Sequence, residues 1–438
     1  MRQLLSRLTA GLVVLTSWTA PAVAQFGEPI FATPLPPGPG TVPFIPNGKL
    51  VAPVLLPVGA PIAAPVAIYH YGPTPGAPQP GVVDCGQTVP CEPAQAKGGR
   101  LWASADFLYG ATQGVWVPPL VTSAAPGSPF PTAGALDGPG PILFGGRREL
   151  HSTRPGLQAR VGYWFDDAQT SGVEAGLIFL GGLSERFVGS SGPGGVVLAR
   201  PIVGPDGLNA GSPVTGLAPG GITASADTRV IGGDVNYRRA LRCGECCRVD
   251  LVAGYRYLHL GDTVDVWTAT TQRIPIPPEA TIQVLSHDSF RTRNHFHGPQ
   301  VGLVTGCRLA SGLTLELTTK VAMGVTVSEA DTVGTTQFAG PAVTAAVPSG
   351  LLVMPSNTLS DSTSSFAVVP EAGLKVGYCL TDCLKVNAGY TFLYWSEVRR
   401  ASEQIDLTVN PAAGRPAFRN DTSDVWLQGW TLGVELRY

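Results

Sequence analysis

The fold of this chain is decided by Asp424-Val425-Trp426-Leu427-Gln428-Gly429-Trp430-Thr431-Leu432-Gly433-Val434-Glu435-Leu436-Arg437-Tyr438. From Trp426 the even positions are mainly large and apolar, and the odd positions are mainly small or charged. A period of two places these sets on opposite faces of a β-strand. Strands of soluble sandwiches also alternate. An apolar face towards lipid and a polar face towards a lumen are typical of bacterial outer-membrane barrels.

The N-terminal residues predict export. Arg2 and Arg7 precede an apolar stretch from Leu8 to about Ala20, and Ala22-Val23-Ala24 is a small-x-small cleavage site. This pattern predicts a signal peptide over residues 1–24, with the mature chain beginning at Gln25. A membrane anchor is the alternative, but the apolar run is short for a bilayer span.

Composition separates a Pro-rich segment from the rest of the chain. With a net charge of -2, the protein is too neutral for a nucleic-acid binder. Residues 25–97 are rich in Pro, Gly and Ala, and prolines in the uncharged run 50–72 exclude a transmembrane helix there. We expect an extended, largely disordered periplasmic segment that serves as a passive tether or as a docking arm.

Strand-type alternation recurs in ten segments from Arg100 onward. Each segment is about long enough to cross a bilayer at a tilt. The prediction is an all-β, transmembrane up-and-down antiparallel barrel over residues 98–438, with about 10 strands and a range of roughly 8–14. The segments are 100–110, 154–166, 171–182, 224–240, 248–266, 288–309, 312–327, 364–379, 384–398 and 424–438.

The connections alternate in length. Those after the even-numbered segments are short, and those after the odd-numbered segments are roughly twenty residues or longer and rich in Gly, Pro and Thr. Tight periplasmic turns and long extracellular loops are expected of such a barrel. The last strand also resembles the assembly signal that barrel-assembly machinery recognises, through Trp430, Leu432, Val434, Leu436 and Tyr438.

Eight cysteines in an exported chain suggest disulfides. The plausible local pairs are Cys85–Cys91 and Cys379–Cys383, and Cys307 is expected to pair with a member of the cluster 243–247. That cluster has the spacing of a zinc half-site, but no second half-site follows it, so no metal and no cofactor are predicted. The disulfide candidates are Cys85, Cys91, Cys243, Cys246, Cys247, Cys307, Cys379 and Cys383.

The barrel region also resembles a known family, the bacterial putative beta barrel porin-7 family. The resemblance covers about residues 100–438 and departs at His297 and at Ala401-Ser402. It implies an outer-membrane barrel and names no substrate. The motifs that carry it are Ala105-Asp106-Phe107-Leu108-Tyr109 with Pro118-Pro119-Leu120-Val121-Thr122, Phe290-Arg291-Thr292-Arg293-Asn294-His295-Phe296-His297-Gly298-Pro299-Gln300-Val301-Gly302, and Gly389-Tyr390-Thr391-Phe392-Leu393-Tyr394-Trp395 followed by Val398-Arg399, Gln404-Ile405-Asp406 and Val409-Asn410.

Charged residues collect on the predicted lumen face, since a lipid-facing Arg or Lys costs about 2–4 kcal/mol at midplane. They would line a hydrated channel that passes small polar solutes, or form an ion-pair network that plugs a narrow barrel. The predicted lumen residues are Asp106, Arg160, Glu174, Asp234, Arg238, Asp250, Arg256, Glu316, Lys320, Glu371, Lys375, Glu435 and Arg437.

Two further function classes remain. His287-Asp288, His295 and His297 are placed at the lumen rim, with a strand bulge at Gly298-Pro299, where they would activate water as in a surface hydrolase or simply line a polar rim. The long loops 189–223 and 328–363 would instead bind envelope or matrix components. We predict a porin-like channel that is not an enzyme, with a plugged structural or adhesive barrel as the alternative. The expected partners are outer-membrane lipid and barrel-assembly machinery.

Overall fold

The structure is a computed structural model that describes residues 99–438, except Leu217, Glu245, residues 275–279, Ser311 and residues 342–343. The predicted signal peptide and Pro-rich segment lie outside the described residues. Within the described part the chain is almost entirely β-structure, and no helix there is long and apolar enough to cross a membrane.

Seventeen strands are found among the described residues. In chain order they are β1 Leu101–Thr112, β2 Val115–Val117, β3 Val121–Ala124, β4 Ile142–Phe144, β5 Arg147–Glu149, β6 Arg154–Trp164, β7 Ser171–Ser191, β8 Val197–Val203, β9 Asn209–Pro213, β10 Gly220–Cys243, β11 Cys247–Ile274, β12 Ala280–Ala310, β13 Leu313–Ala339, β14 Thr344–Val347, β15 Leu359–Cys379, β16 Leu384–Val398 and β17 Ser423–Arg437.

Ten of the described strands close into an antiparallel ring. The order is β12-β11-β10-β7-β6-β1-β17-β16-β15-β13, and β12 pairs with β13 to complete it. The first and last wall strands form one seam, in which Asp106 pairs with Gly433 and Leu108 with Thr431. The predicted all-β up-and-down barrel of about ten strands is confirmed.

The two faces of each wall strand follow the predicted parity. On β17, Trp430 and Leu432 are exposed on the outer face, while Thr431 and Glu435 are buried on the inner face. Large apolar side chains are exposed on the outer face of most other wall strands, among them Phe107, Val161, Leu177, Val235, Tyr255, Val301, Leu317, Phe366 and Leu374.

The wall strands extend further towards the long loops than the sequence predicts. The connection expected over 267–287 is largely strand, because β11 continues to Ile274 and β12 begins at Ala280. Threonine-rich sequence such as Thr268 to Thr271 is polar like a loop, yet β-branched residues favour extended backbone. A prediction based on polarity alone therefore ends these strands too early.

The other long connections fold over the barrel mouth. The first and second carry two small sheets, β2–β5 and β4–β3–β8–β9. The last carries two short 3-10 helices, Ala401–Gln404 and Pro411–Ala413. A buried apolar cluster joins Val121 and Leu198 of these loops to Phe290 and Val264 of the wall. The loops therefore share a core with the upper barrel.

Candidate functional site in the barrel interior

The interior is identified by contacts between strands that are not neighbours in the ring. Glu371 of β15 accepts a hydrogen bond from Arg160 of β6 at 3.4 Å, and Arg256 of β11 also donates to it. Such contacts can form only across the lumen. The strand positions of all thirteen predicted lumen residues have the inward parity, and Glu371 with its two arginines lies at mid-height.

A second group of ion pairs surrounds Lys320. Its Nζ lies 3.3 Å from Glu174 and 2.9 Å from Asp234. Arg238 donates to Glu174 at 3.2 Å and to Asp250 at 2.8 Å. Lys320 and Glu174 are almost completely buried, so each charge depends on its neighbours for compensation. We call the groups around Glu371 and Lys320 together the charged layer.

The predicted charges nearest the short turns form their own pairs. Lys375 donates to Asp106 at 2.6 Å, and Lys385 lies 2.5 Å from Glu435. Arg437 donates to the same Glu435 at 2.8 Å. Asp106 is fully buried, whereas the other pairs line a space at the short-turn end.

That space is a vestibule of about 340 Å³ at the short-turn end of the lumen. Arg248 lies over the ring of Trp164 at 4.6 Å, and Arg238 over the same ring at 5.2 Å. Glu316 also lines the vestibule. Guanidinium groups held in this way can bind polar solutes through hydrogen bonds.

Beyond the charged layer the lumen is filled by an apolar layer. The inward residues Leu108, Leu180, Leu260 and Phe296 are each 0% exposed to solvent. An open channel would leave such side chains in contact with water, so this section of the lumen is packed. The full set is Leu108, Leu180, Val230, Leu258, Leu260, Phe296, Ala322, Ala367, Val369, Leu393, Trp395, Val398, Val425 and Leu427.

A polar layer follows, and it anchors the last long loop. The main-chain N–H of Arg399 donates to Asn294 Oδ1 at 2.8 Å, and Asn294 Nδ2 donates to the Arg399 carbonyl at 2.8 Å. Arg400 donates to Asp262 of β11. Arg154 lies in the same layer, donates to Thr112 at 3.2 Å and is almost fully buried.

A fully buried carboxylate ties two other loops to the wall. Asp288 accepts hydrogen bonds from the main-chain N–H groups of Leu352 at 3.1 Å and Val353 at 2.7 Å. Its other oxygen accepts from Arg200 at 2.5 Å. The sequence predicts Asp288 at the rim as a candidate hydrolytic residue, but these contacts make it a loop anchor.

The predicted histidine rim is wrong in its placement. Inward positions on β12 are even throughout, so His287, His295 and His297 lie on the outer face. His297 pairs with Val325 and Gln300 with Ala322 in one register, and no bulge occurs at Gly298-Pro299. A Cβ at Gly298 would lie 2.8 Å from Gly324 Cα, so the two backbones approach closely where both residues are glycine. This close approach lets the strand pairing continue past Pro299.

The cysteines agree only partly with the prediction. Cys247 of β11 is bonded to Cys307 of β12, as expected for the cluster. Cys383 is a free thiol, so the predicted Cys379–Cys383 pair is wrong, and Cys243 is also free. Cys246 and Cys379 take part in disulfides. Cys85 and Cys91 lie outside the described residues, and in the described part no three His, Cys, Asp or Glu side chains converge as a metal site.

Comparison with known families identifies this architecture. The family described as putative beta barrel porin-7 matches residues 102–438. The chain belongs to this family. Membership implies a location in the bacterial outer membrane and places the chain among porin-like barrels. No curated protein matches.

Three solved structures have some likeness to this chain. The outer membrane protease OmpT from Escherichia coli is 11% identical, with 77% of this chain and 97% of that chain covered and a TM-score of 0.40. A Pseudomonas aeruginosa FadL homologue is 8% identical, with 77% and 90% covered and a TM-score of 0.22. The TodX deltaS2S3 mutant, a monoaromatic hydrocarbon channel, is 8% identical, with 77% and 90% covered and a TM-score of 0.20.

Sequence reasoning missed the apolar layer in this porin-7 barrel. Leu258 and Leu260 continue the inward parity of Asp250 and Arg256 on β11, so the signal was present in the printed sequence. Arg399 and Arg400 were also missed, because they follow the end of β16, where strand parity no longer predicts the direction of a side chain.

Proposed function

We propose that this protein is a closed outer-membrane barrel whose long loops form a structural or adhesive surface. Its short turns face the periplasm and its long loops face outward, as in other barrels with this alternation of loop lengths. The observation that carries the proposal is the packed interior, in which the apolar layer lies between two polar layers.

The sequence of layers can be followed along a single strand. On β11 the inward residues are charged at Asp250 and Arg256, apolar at Leu258 and Leu260, and charged again at Asp262. Val264 and Val266 then join the loop core. A small polar solute or ion would have to cross two apolar zones, and losing its hydration there costs several kcal/mol without compensating partners.

Planar-bilayer recording tests the closed barrel directly. Purified full-length protein should insert, as judged by heat-modifiable migration on gels and by β-sheet circular dichroism, and give no discrete conductance steps. A Trp395→Ala variant, which removes a fully buried side chain from the apolar layer, should conduct. Reproducible single-channel steps from the unmodified protein would contradict the proposal.

A porin-like channel for small polar solutes is the second candidate. The vestibule favours it, because both signs of charge line a water-accessible space at the periplasmic end. Conduction would require the apolar layer to rearrange. Liposome swelling with small sugars and amino acids distinguishes a solute channel from a closed barrel, since only the channel makes the vesicles swell.

The proposed partners follow from this orientation. The last strand would be recognised by barrel-assembly machinery, and the outer apolar face would contact outer-membrane lipid. Envelope or matrix components would bind the long loops. Whole cells that carry the protein should bind such material more than cells that carry a form in which the connection 192–219 between β7 and β10 is shortened. Equal binding by the two kinds of cell would remove the adhesive role.

A further inference from the structure

The outer face carries a groove just above the apolar band of the barrel wall. Its volume is about 640 Å³. We call it the arginine groove. It crosses the long-loop half of the strands β7, β10, β11 and β12, and Gly261 opens its floor. The side chains on its rim are Ser184, Asp227, Arg229, Thr263, Arg291 and Arg293.

The strand register brings the arginines together. Arg229 of β10 and Arg293 of β12 each pair with Gly261 of β11, on its two sides. Neighbouring strands lie roughly 5 Å apart, so the two arginines flank a gap that has no side chain. A Cβ at Gly261 would lie 3.3 Å from Arg229 Nε and 3.4 Å from His259 Nε2, which shows that both side chains lean over the glycine.

The charges in the groove are poorly compensated. Among the described residues, Arg229 and Arg291 have no ion-pair or hydrogen-bond partner. Arg293 makes two long contacts, at 3.5 Å to Glu329 and 3.4 Å to Asp331. Two carboxylates belong to the lining: Asp227 on the outer face, and Asp262, which is buried and pairs with Arg400. Within the described part of the chain, Arg229 and Arg291 are therefore two guanidinium groups on the outer face without a carboxylate contact, an arrangement that suits an anion with several oxygens.

The surface below the groove is apolar. His259 lies just below the groove with Ile231 beside it on β10, and further down the outward residues Tyr257, Val325 and Phe366 are exposed. A ligand that contacts both zones must combine an anionic head with hydrocarbon. Basic clusters at a membrane surface bind anionic lipid headgroups.

We propose that the arginine groove binds the phosphate of an outer-leaflet glycolipid headgroup, with the acyl chains on the apolar band below. The inference rests on the proposed orientation, in which the long loops face outward. Arg229 and Arg293 hold the phosphate oxygens across Gly261, and Arg291 contacts the headgroup from above. This lipid fixes the barrel in the outer leaflet and covers the outward histidines at the boundary.

The test uses full-length protein in nanodiscs of neutral phospholipid with added bis-phosphorylated lipid A, and native mass spectrometry counts the bound lipid A. The double variant Arg229→Gln, Arg291→Gln should bind lipid A roughly thirtyfold more weakly, since each basic residue contributes roughly fivefold at a membrane surface. Arg239→Gln is the matched control, because Arg239 is an exposed, outward arginine at the opposite end of β10. It should bind lipid A like the unmodified protein.

Chemical controls separate the lipid from other sources of phosphate. Dephosphorylated lipid A should bind as weakly to the unmodified protein as lipid A binds to the double variant, and inorganic phosphate should not displace lipid A. Equal lipid A binding by the double variant and the control, or displacement by inorganic phosphate, overturns the proposal. Circular dichroism confirms that each variant is folded. A conducting unmodified protein would refute the closed barrel without changing this binding comparison.

Discussion

Replacing Glu371 by Gln removes one negative charge from the middle of the lumen while keeping the size of the side chain. Glu371 is 8% exposed and faces Arg160 at 3.4 Å and Arg256 in closer contact. The variant leaves two buried guanidinium groups without their shared carboxylate. Breaking a buried pair in this way costs about 3–5 kcal/mol, and we expect a loss of this size in the free energy of unfolding.

The assay is urea unfolding of the protein in phospholipid vesicles, followed by tryptophan fluorescence. Glu329→Gln is the matched control, because Glu329 is a half-exposed carboxylate on the outer face that pairs with Arg293 at 3.5 Å. Exposed pairs contribute about 0–1 kcal/mol. If Glu371→Gln unfolds like the control, water must compensate the two arginines, and the lumen is hydrated rather than packed.

Three further outcomes are expected. Trp395→Ala loses the hydrogen bond to Thr326 at 2.9 Å and the packing on Phe296, and should cost about 3–5 kcal/mol in unfolding and make the barrel leak in bilayer recordings; Trp430→Ala, on the outer face, should leave it closed. Cys247→Ser should lower the free energy of unfolding by about 2–4 kcal/mol, and a reducing agent should do the same to the unmodified protein. If neither the substitution nor the reducing agent lowers the free energy of unfolding, the bond between Cys247 and Cys307 does not form. Hydrogen bonds from the main chain and hydroxyl of Thr170, and from Ser171, lower the pKa of Asp166 to about 2, so its contribution to stability is present above roughly pH 4 and is lost as the pH falls towards 2. Asp166→Asn should flatten the pH dependence of unfolding in that window, and an unchanged profile would contradict this role.

The wall of the barrel could be predicted from sequence because large apolar side chains recur on one face of its strands and small or polar ones on the other. A charged side chain that faces lipid is costly, so the alternation on β17 and on the first half of β11 is regular enough to be recognised from the sequence. Inward side chains can face either water or other side chains of the lumen. Strand parity alone therefore does not say whether Leu258 or Arg256 is in contact with water. The packed lumen therefore required the three-dimensional arrangement.

The errors have local physical causes. The sequence predicts a bulge at Gly298-Pro299, because proline lacks the N–H that a ladder needs. In the structure Gly298 and Gly324 approach closely and the register with β13 continues, so His295 and His297 stay on the outer face. Cys383 follows Cys379 closely in sequence, but nearness along the chain does not determine side-chain direction in a turn.

The seam between β1 and β17 has a consequence for folding kinetics. Trp102 pairs with Arg437, so nearly the whole barrel sequence lies between the two partners. Contacts of such long sequence separation form slowly, because the loop entropy is lost before the pairing compensates for it. Until β17 arrives, β1 and β16 each present an unpaired edge that can bind another chain. Ring closure is thus the step at which aggregation competes most strongly with assembly.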